Sequence, residues 1–558
     1  MIIEKLEKEL RLTLEKLSIN VEKVSFEHPA ELVHGDYSTN VAFIESKKLG
    51  KNPIELAKVI VEDLKQKNIP EIEKIEVAGP GFINFFLSRK FFTNSVEEIL
   101  KKKDKYGRSK IGKGKRVVVE FSSPNIAKPF TVGHLRSTII GDGIANILDF
   151  LGYKVIRDNH LGDWGTQFGK MIVALRRWGN EKQVEEKYSI IKKLVDLYVK
   201  FHSEAEKDEK LENEAREWFS RLEKGDKEAV SVWKKCVKWS IVEFNKIYKD
   251  LGIKFNTTLG ESYFVNKVGD VVKEIKTAGI GKESEGAYLI FFPNEKYPPL
   301  MILKNDGSSI YAVRDLAADK FRLKKYGKDV TIVNEVGSEQ SLYFKQLIET
   351  EKMLGWVKEG QRIHVGHGLY RFEEGKMSTR KGNVIWLEDI LEEVIRKAGE
   401  INKETEKVVG IGALKFNDLK REPIKDIIFN LDEMVNVKGD SGPYLQYTYA
   451  RVKSVILKAK GLKIKKSLKN IPENKFTLQK LIYRFPEIVE RAGKEYSPNY
   501  LAVYLLELAG SFNNFYAENK IADKENINAP YFVALAEAVS IVLKNGLKLL
   551  GIQVVEKM

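Results

Sequence analysis

Apolar positions at the start of the chain recur at helical spacing: Ile3, Leu6, Leu10, Leu14 and Leu17 share one face and predict an amphipathic helix. Residues 72–78 and 82–87 read as strands flanking the turn Ala78-Gly79-Pro80-Gly81, so residues 1–112 form a small α+β domain. From Arg116 the pattern becomes strand, loop and helix in alternation. Residues 117–121 are apolar apart from Glu120. A helix follows with Ile140, Ile144, Ile147, Leu148 and Leu151 on one face, stopped by Gly152. Residues 154–158 read as a strand and 166–178 as a helix, with further strand signals at 288–292, 299–303, 330–334 and 362–365. This alternation predicts a parallel sheet with crossover helices over residues 113–405, interrupted at about 180–257 by a charged helical insertion. Past residue 405 the strand signals stop. Leu501, Tyr504, Leu505, Leu508, Phe512 and Phe515 make one helical face and Leu535, Val539, Val542 and Leu549 another, so 406–558 reads as an all-α domain. There are no internal repeats.

Composition narrows the classes. The chain has 558 residues, 43% apolar and 31% charged, which excludes a generally disordered or collagen-like chain. A single cysteine, Cys236, excludes a disulfide scaffold and an intrachain thiolate zinc cluster. No apolar run reaches the ~18 residues of a membrane helix, and the glutamate-bearing start is unlike a secretory signal, so a cytoplasmic protein without membrane attachment is expected. The formal net charge of +15 favours polyanionic partners. Residues 101–116 hold nine basic residues and one acidic, and 451–470 hold eight basic residues and no acidic one. Either run alone is equally well a solvated face. Two of them, flanking the α/β region, fit a long phosphate backbone.

Two stretches carry chemistry. Residues 120–138 (Glu-Phe-Ser-Ser-Pro-Asn-Ile-Ala-Lys-Pro-Phe-Thr-Val-Gly-His-Leu-Arg-Ser-Thr) run from a strand's carboxyl end into a helix N-terminus, where open α/β sheets bind nucleotides. Gly133 has no side chain, so a flat base can lie against its backbone, and His134 in the first turn can donate to phosphoryl oxygens. Residues 375–383 (Gly-Lys-Met-Ser-Thr-Arg-Lys-Gly-Asn) place three cations within six residues among small hydroxyl residues and glycines, a loop suited to a triphosphate. Alone, the first is a plain helix start and the second a common basic turn.

Together, and in this order, they resemble the class I aminoacyl-tRNA synthetases, whose signatures are His-x-Gly-His and Lys-Met-Ser-Lys-Ser. More narrowly, the chain is similar to the arginyl-tRNA synthetases over nearly its whole length. The markers are residues 122–138, 160–169 (His-Leu-Gly-Asp-Trp-Gly-Thr-Gln-Phe-Gly), 376–383, 442–447 (Gly-Pro-Tyr-Leu-Gln-Tyr), 34–41 and 79–84. The resemblance implies a multidomain α/β protein: an N-terminal tRNA-contacting α+β domain (1–112), a Rossmann-like catalytic domain (113–405) and an all-α anticodon-binding domain (406–558). It implies ATP-dependent attachment of L-arginine to the 3′ end of tRNA(Arg) through an arginyl-adenylate, with bound tRNA needed for activation. It also implies magnesium carried on the nucleotide without a dedicated protein cage, and a monomer.

By the same resemblance His134, Lys128 and Lys376 are catalytic, and Thr131, Gly133, His134, Lys376, Met377 and Ser378 hold ATP. Two departures stand out. The first signature histidine is Thr131, so one imidazole donor is missing; losing such a donor typically costs ~3 kcal/mol, about a hundredfold in rate, unless the hydroxyl replaces part of it. Thr379 stands at the usual catalytic lysine, a change arginyl enzymes often show, and Lys128 fits the role of supplying that charge. The literal string His364-Val-Gly-His367 is a decoy by context, since a short extended pattern follows it rather than a long amphipathic helix; it reads as a strand feeding the Lys376 loop.

A planar cationic substrate needs carboxylates placed for paired hydrogen bonds beside a flat neighbour. Glu120 is a charge ending an apolar strand, and Tyr311 and Asp315 are four apart, on one face of a helix. Plainer alternatives are a structural lysine for Glu120 and an Arg314 or Lys320 pairing for Asp315. The resemblance assigns the guanidinium to Tyr311, Asp315 and Glu120, and the α-amino and carboxylate end to Asn125, His134 and Gln340. Tyr444, Tyr447 and Arg451 at i, i+3 and i+7 share a helical face suited to stacking on unpaired bases, or else pack a core. The resemblance adds Tyr516, Met558 and, in the N-terminal domain, Asn84 as tRNA contacts. Three rivals keep part of this pattern: a class I synthetase for another amino acid, a nucleotidylyltransferase of the same fold, and a tRNA-binding paralogue without catalysis.

Overall fold

The structure is a computed structural model, described for residues 1–179, 190–371, 386–468 and 477–558. The opening helix, Ile2–Lys16, buries Leu6, Leu10 and Leu14 as its periodicity requires, and Thr13 bonds Asp63 of the helix Pro53–Gln66. That second helix starts where Asn52 accepts from the Ile54 amide, with Pro53 in the first turn. Strands β1 (Tyr37–Thr39), β2 (Ile72–Ala78) and β3 (Phe82–Leu87) form an antiparallel sheet with β3 central. The turn between β2 and β3 needs its glycine: Gly81 has φ +111°, and a Cβ there would lie 2.9 Å from the Pro53 carbonyl oxygen.

The catalytic sheet uses β4 (Arg116–Glu120), β5 (Lys154–Asp158), β9 (Thr331–Gly337) and β10 (Arg362–His367), all parallel, in the order β10-β9-β4-β5. From β4 the chain moves outward on one side to β5 and returns on the other to β9. The order therefore reverses between β4 and β9, and a crevice opens at the carboxyl ends of those strands. The helix Val132–Phe150 packs so closely on the sheet that a Cβ on Gly141 would lie 2.2 Å from the Phe121 side chain.

One expectation fails here. The strand signals at 288–292 and 299–303 do not join the parallel sheet. They become β7 (Ala287–Ile290) and β8 (Leu300–Leu303), which with β6 (Gly281–Ser284) make a separate antiparallel sheet. The reason is visible in the spacing: a parallel crossover needs about a dozen residues or more, and only 291–299 separate β7 from β8. The insertion is helical where described, in Ile190–Ala205, Lys210–Glu223 and Lys227–Leu251.

Among the described residues the C-terminal region is helical apart from the two-residue strand Ile427–Ile428, which pairs with Tyr370–Arg371. All six apolar positions predicted on the Asn499–Glu518 helix are buried, as are the four on Ala529–Leu549. This region shares one continuous core with the catalytic sheet, from Val117 and Ile140 through Leu414 to Leu543. The N-terminal domain keeps its own core, into which Tyr483 of the C-terminal region inserts. Among the described residues no helix is long and apolar enough to cross a membrane.

The two larger regions are also joined by a buried ion pair. Arg136, two residues past His134, donates to Asp418 at 3.2 Å and to the Pro423 carbonyl at 3.0 Å, with both charged side chains wholly buried. Removing one partner strands the other without water. Asp418→Ala is therefore expected to lower stability by about 3–5 kcal/mol in urea unfolding, while the paired replacement Arg136→Met with Asp418→Leu recovers most of the loss.

Candidate functional site

Between β4 and the helix Val132–Phe150 the backbone leaves the ordinary regions: Ser122, Ser123 and Ala127 have φ of 75°, 43° and 57°. Such conformations persist only where the surroundings impose them. Here the Ser122 amide donates to Ser137 Oγ, the Ser123 amide to Asn159 Oδ1 and the Ala127 amide to Ser240 Oγ. The loop delivers the chain to Thr131, and this N-cap residue and Gly133 in the first turn of the following helix line the crevice.

Glu120, Asn125, Thr131, Gly133, His134, Tyr311, Asp315 and Gln340 all line one cavity of about 550 Å³ at this point. His134 Nδ1 accepts from the Thr131 amide at 3.1 Å and lies 3.1 Å from Thr131 Oγ1. With Nδ1 accepting, the ring proton sits on Nε2. Burial, then the nearby Lys128 and His367, push the His134 pKa down to about 4, so the ring acts as a neutral donor. The Thr131 hydroxyl is thus already engaged by the histidine it was expected to assist. A Cβ on Gly133 would meet nothing nearer than Thr131 Oγ1 at 3.7 Å, leaving that side open for a flat ligand. Lys128 is half-buried, which lowers its pKa, and it does not line the cavity. Lys376, Met377 and Ser378 lie outside the described residues.

The acidic wall comes from two directions. Glu120 closes β4, buried, and both of its partners meet Oε2: Arg322 at 2.5 Å and Asn334 Nδ2 at 2.9 Å. The alternative of a structural lysine is overturned; the partner is an arginine that also binds Asp158 and Asp319. Asp315 sits one turn into the helix Tyr311–Tyr326, and neither alternative partner reaches it, since Arg314 pairs with Glu261 and Lys320 with Glu274. Its Oδ2 accepts from the Tyr343 hydroxyl, and His160 Nε2 is 3.7 Å from Oδ1. Burial dominates and pushes the Asp315 pKa up to about 6. Tyr311 is 51% exposed, its ring 4.9 Å from that of Tyr343. Gln340 is exposed at the end of the turn after β9.

Three residues of this wall had no role in the sequence reading. Tyr343 carried no signal at all. His160 stood in a quoted motif, and in the structure neither ring nitrogen has a hydrogen-bond partner. His367 belongs to the string set aside as a decoy; that segment is a strand as expected, but its last residue faces the cavity.

Far along the C-terminal domain the predicted stacking residues converge. The Arg451 guanidinium lies 4.8 Å from the Tyr447 ring and 5.3 Å from the Tyr516 ring, both tyrosines substantially exposed. Asn513 holds the group, accepting from Arg451 at 2.5 Å and donating to the Tyr444 hydroxyl at 3.0 Å. Tyr444 is packed and Tyr447 is free, so the two tyrosines divide between the alternatives. Met558 packs against Ala398, Val409, Ala450 and Val555. Asn84 lies on β3, buried, accepts from Ser38 Oγ at 2.7 Å, and lines a separate cavity of about 560 Å³ with His34 and Phe82.

Residues 95–431 match the family described as tRNA synthetases class I (R), catalytic domain. The chain belongs to the arginyl-tRNA synthetase family. Residues 4–87 match the arginyl tRNA synthetase N terminal domain and 445–558 the DALR anticodon binding domain. The chain is 43% identical over 547 residues to the arginine–tRNA ligase of Clostridium acetobutylicum, covering 95% of each, and 41% identical over 559 residues to that of Halothermothrix orenii, covering 97% of each. Its fold matches the arginyl-tRNA synthetase of Plasmodium falciparum with a TM-score of 0.84 at 27% identity, over 100% of this chain and 99% of that one. It matches the Thermus thermophilus enzyme with a TM-score of 0.86 over the whole of both chains, at 24% identity, a likeness of fold. The α/β catalytic sheet and helical C-terminal domain are thus the architecture of the family. Among the described residues no group of three or more His, Cys, Asp or Glu is placed to hold a metal ion.

The raised Asp315 pKa has a consequence for a family member whose substrate is a cation. Above pH about 6 the free carboxyl is charged and attracts a guanidinium; below it the proton removes that attraction. We expect kcat/KM for arginine to fall as pH drops through about 6 while KM for ATP changes little. Saturating arginine pulls the carboxyl's pKa down, so kcat persists to lower pH. Steady-state charging assays across pH 5 to 8 check this.

Proposed function

We propose that the cavity at the tip of the Val132–Phe150 helix is where arginine and ATP meet. The reaction is ATP-dependent attachment of L-arginine to tRNA(Arg), the activity of the family to which the chain belongs. What supports this location above all is Asp315: a half-buried carboxylate bonded to a tyrosine, facing a cavity that also holds Glu120 and the nucleotide-type helix tip. A cavity that concentrates negative charge at one end and offers amides and a neutral imidazole at the other suits a cationic side chain joined to an anionic partner.

In this reading Asp315, Tyr311 and Glu120 hold the guanidinium, and Asn125, Gln340 and His134 the α-amino and carboxylate end. Thr131 and Gly133 line the nucleotide side, and Lys376, Met377 and Ser378 are assigned to the ATP as well. An arginine carboxylate oxygen attacks the α-phosphorus as the bond to pyrophosphate breaks. The ribose hydroxyl at the tRNA 3′ end then attacks the carbonyl carbon of the arginyl-adenylate, and AMP departs. Catalysis is mainly positioning and charge stabilisation, with Lys128 and Lys376 as cations and His134 Nε2–H as a neutral donor. Magnesium travels on the ATP phosphates.

Residues 1–112, 113–405 and 406–558 are the tRNA-contacting, catalytic and anticodon-binding parts. Tyr444, Tyr447, Arg451, Tyr516 and Met558 meet the anticodon stem-loop, and Asn84 the tRNA body. The reading includes a working monomer in the cytoplasm, and the single buried cysteine fits that compartment. In this reading the activation step needs bound tRNA, as the family resemblance implies.

Charging of matched tRNA with each of the twenty amino acids tests the reading: arginine alone is expected to be transferred. Asp315→Ala should raise the arginine KM about a hundredfold, the worth of a charged hydrogen-bonded pair, with little change for ATP. Transfer of another amino acid, or an unchanged arginine KM in the variant, refutes the assignment. Tyr447→Ala should raise the KM for tRNA about tenfold, in line with loss of one base stack, and leave arginine-dependent parameters alone.

A further inference from the structure

We propose that His367 is a second imidazole of the nucleotide cleft, its Nε2 donating to an oxygen of bound ATP. This rests on the reading above that the cavity takes ATP. β10 ends at His367, opposite Gly337 in register, so the ring stands at the carboxyl edge of the sheet, one strand beyond the point where the order reverses. It lines the same cavity as Thr131, Gly133 and His134 while being only 7% exposed.

The two ring nitrogens have different surroundings. Nδ1 lies 2.8 Å from Glu335 Oε1. Glu335 is wholly buried, and its other oxygen has no partner, so its charge is spent on the ring alone. Burial works against a proton on His367, but the Glu335 carboxylate outweighs it and the pKa is raised; Arg136 opposes and Asp418 assists. Among the described residues Nε2 has no hydrogen-bond partner. A Cβ on Gly337 would stand 3.8 Å from it, and the Glu339 carboxylate, whose Oε2 would lie 2.5 Å from the same point, is the nearest side chain on that side. His364 in the same strand contrasts with this: its ring stacks on Phe344 at 4.5 Å and its Nε2 lies 3.3 Å from the Val336 carbonyl. One histidine of the string is used up in packing, and the other is held through Nδ1 by Glu335 while lining the site.

The geometry also accounts for the missing imidazole at position 131. Thr131 is committed to His134, which stays neutral, so the helix tip supplies no cationic ring. His367 is close enough for a charge on it to depress the His134 pKa, and it brings a second imidazole to the same cleft from the end of β10.

The test is arginine-dependent ATP–pyrophosphate exchange by the full chain with tRNA present, comparing His367→Phe and His367→Gln with the parent. Loss of a donor to ATP should cut kcat/KM for ATP roughly a hundredfold in His367→Phe and less in His367→Gln, whose amide reaches the Nε2 position. The arginine KM should stay within about twofold, and transfer from preformed arginyl-adenylate to tRNA should be unaffected. His367→Phe strands a buried carboxylate, so His367→Phe with Glu335→Leu is measured beside it, each with its melting midpoint. A kcat/KM for ATP that holds in the folded variants, with only stability altered, overturns the proposal and leaves His367 as a counterion to Glu335. Absence of arginine-dependent exchange in the parent would instead overturn the function on which it rests.

Discussion

Arg322 fixes the geometry on which the site depends. Its guanidinium meets Glu120 at the end of β4, Asp158 at the end of β5 and Asp319 on its own helix, while Arg362 at the start of β10 meets Asp319 and Glu351. Arginine suits this place because it cannot give up its charge and offers several donors in a rigid plane. Asp315, Asp319 and Arg322 stand at i, i+4 and i+7, so anchoring the lower turns sets the angle at which the first turn presents Tyr311 and Asp315. The same contact occupies one oxygen of Glu120. A cluster of four carboxylates and two guanidiniums in a buried setting is a costly way to gain stability, and hydrophobic replacements of comparable shape often do better. Its retention here is explained by orientation: it decides where the acidic wall stands.

The sequence made the architecture legible because each region has its own period. Alternation of buried strands with amphipathic helices identified the parallel sheet, and an uninterrupted 3.6-residue rhythm identified the C-terminal helices. What periodicity could not do was assign strands to sheets. The segments that became β7 and β8 look like any short apolar run, and only the connection between them, too short for a crossover, separates them from the catalytic sheet.

The site was legible where a motif fixed several residues at once and illegible where a contact joined distant ones. Thr131, Gly133 and His134 share one helix tip, and Tyr311 and Asp315 one helical turn, so spacing alone groups them. Tyr343 reaches Asp315 from another helix, and Arg322 reaches Glu120 across more than two hundred positions; neither relation leaves a trace in local pattern. His367 shows the opposite error. Context rightly ruled its string out as the helix-tip signature, yet the carboxyl end of a strand beside the switch point also borders the crevice where ligands bind.

The insertion of Tyr483 into the N-terminal core bears on how the molecule can be taken apart. Around it His28 and Tyr37 meet Glu487, and Lys480 meets Asp36 and the Leu32 carbonyl. An aromatic plug from the last third of the chain therefore completes a fold begun in the first. Excising the leading segment would uncover a greasy socket on one fragment and a bare ring with stranded charges on the other, so truncated forms would report their own exposed scars as much as the job of the piece removed.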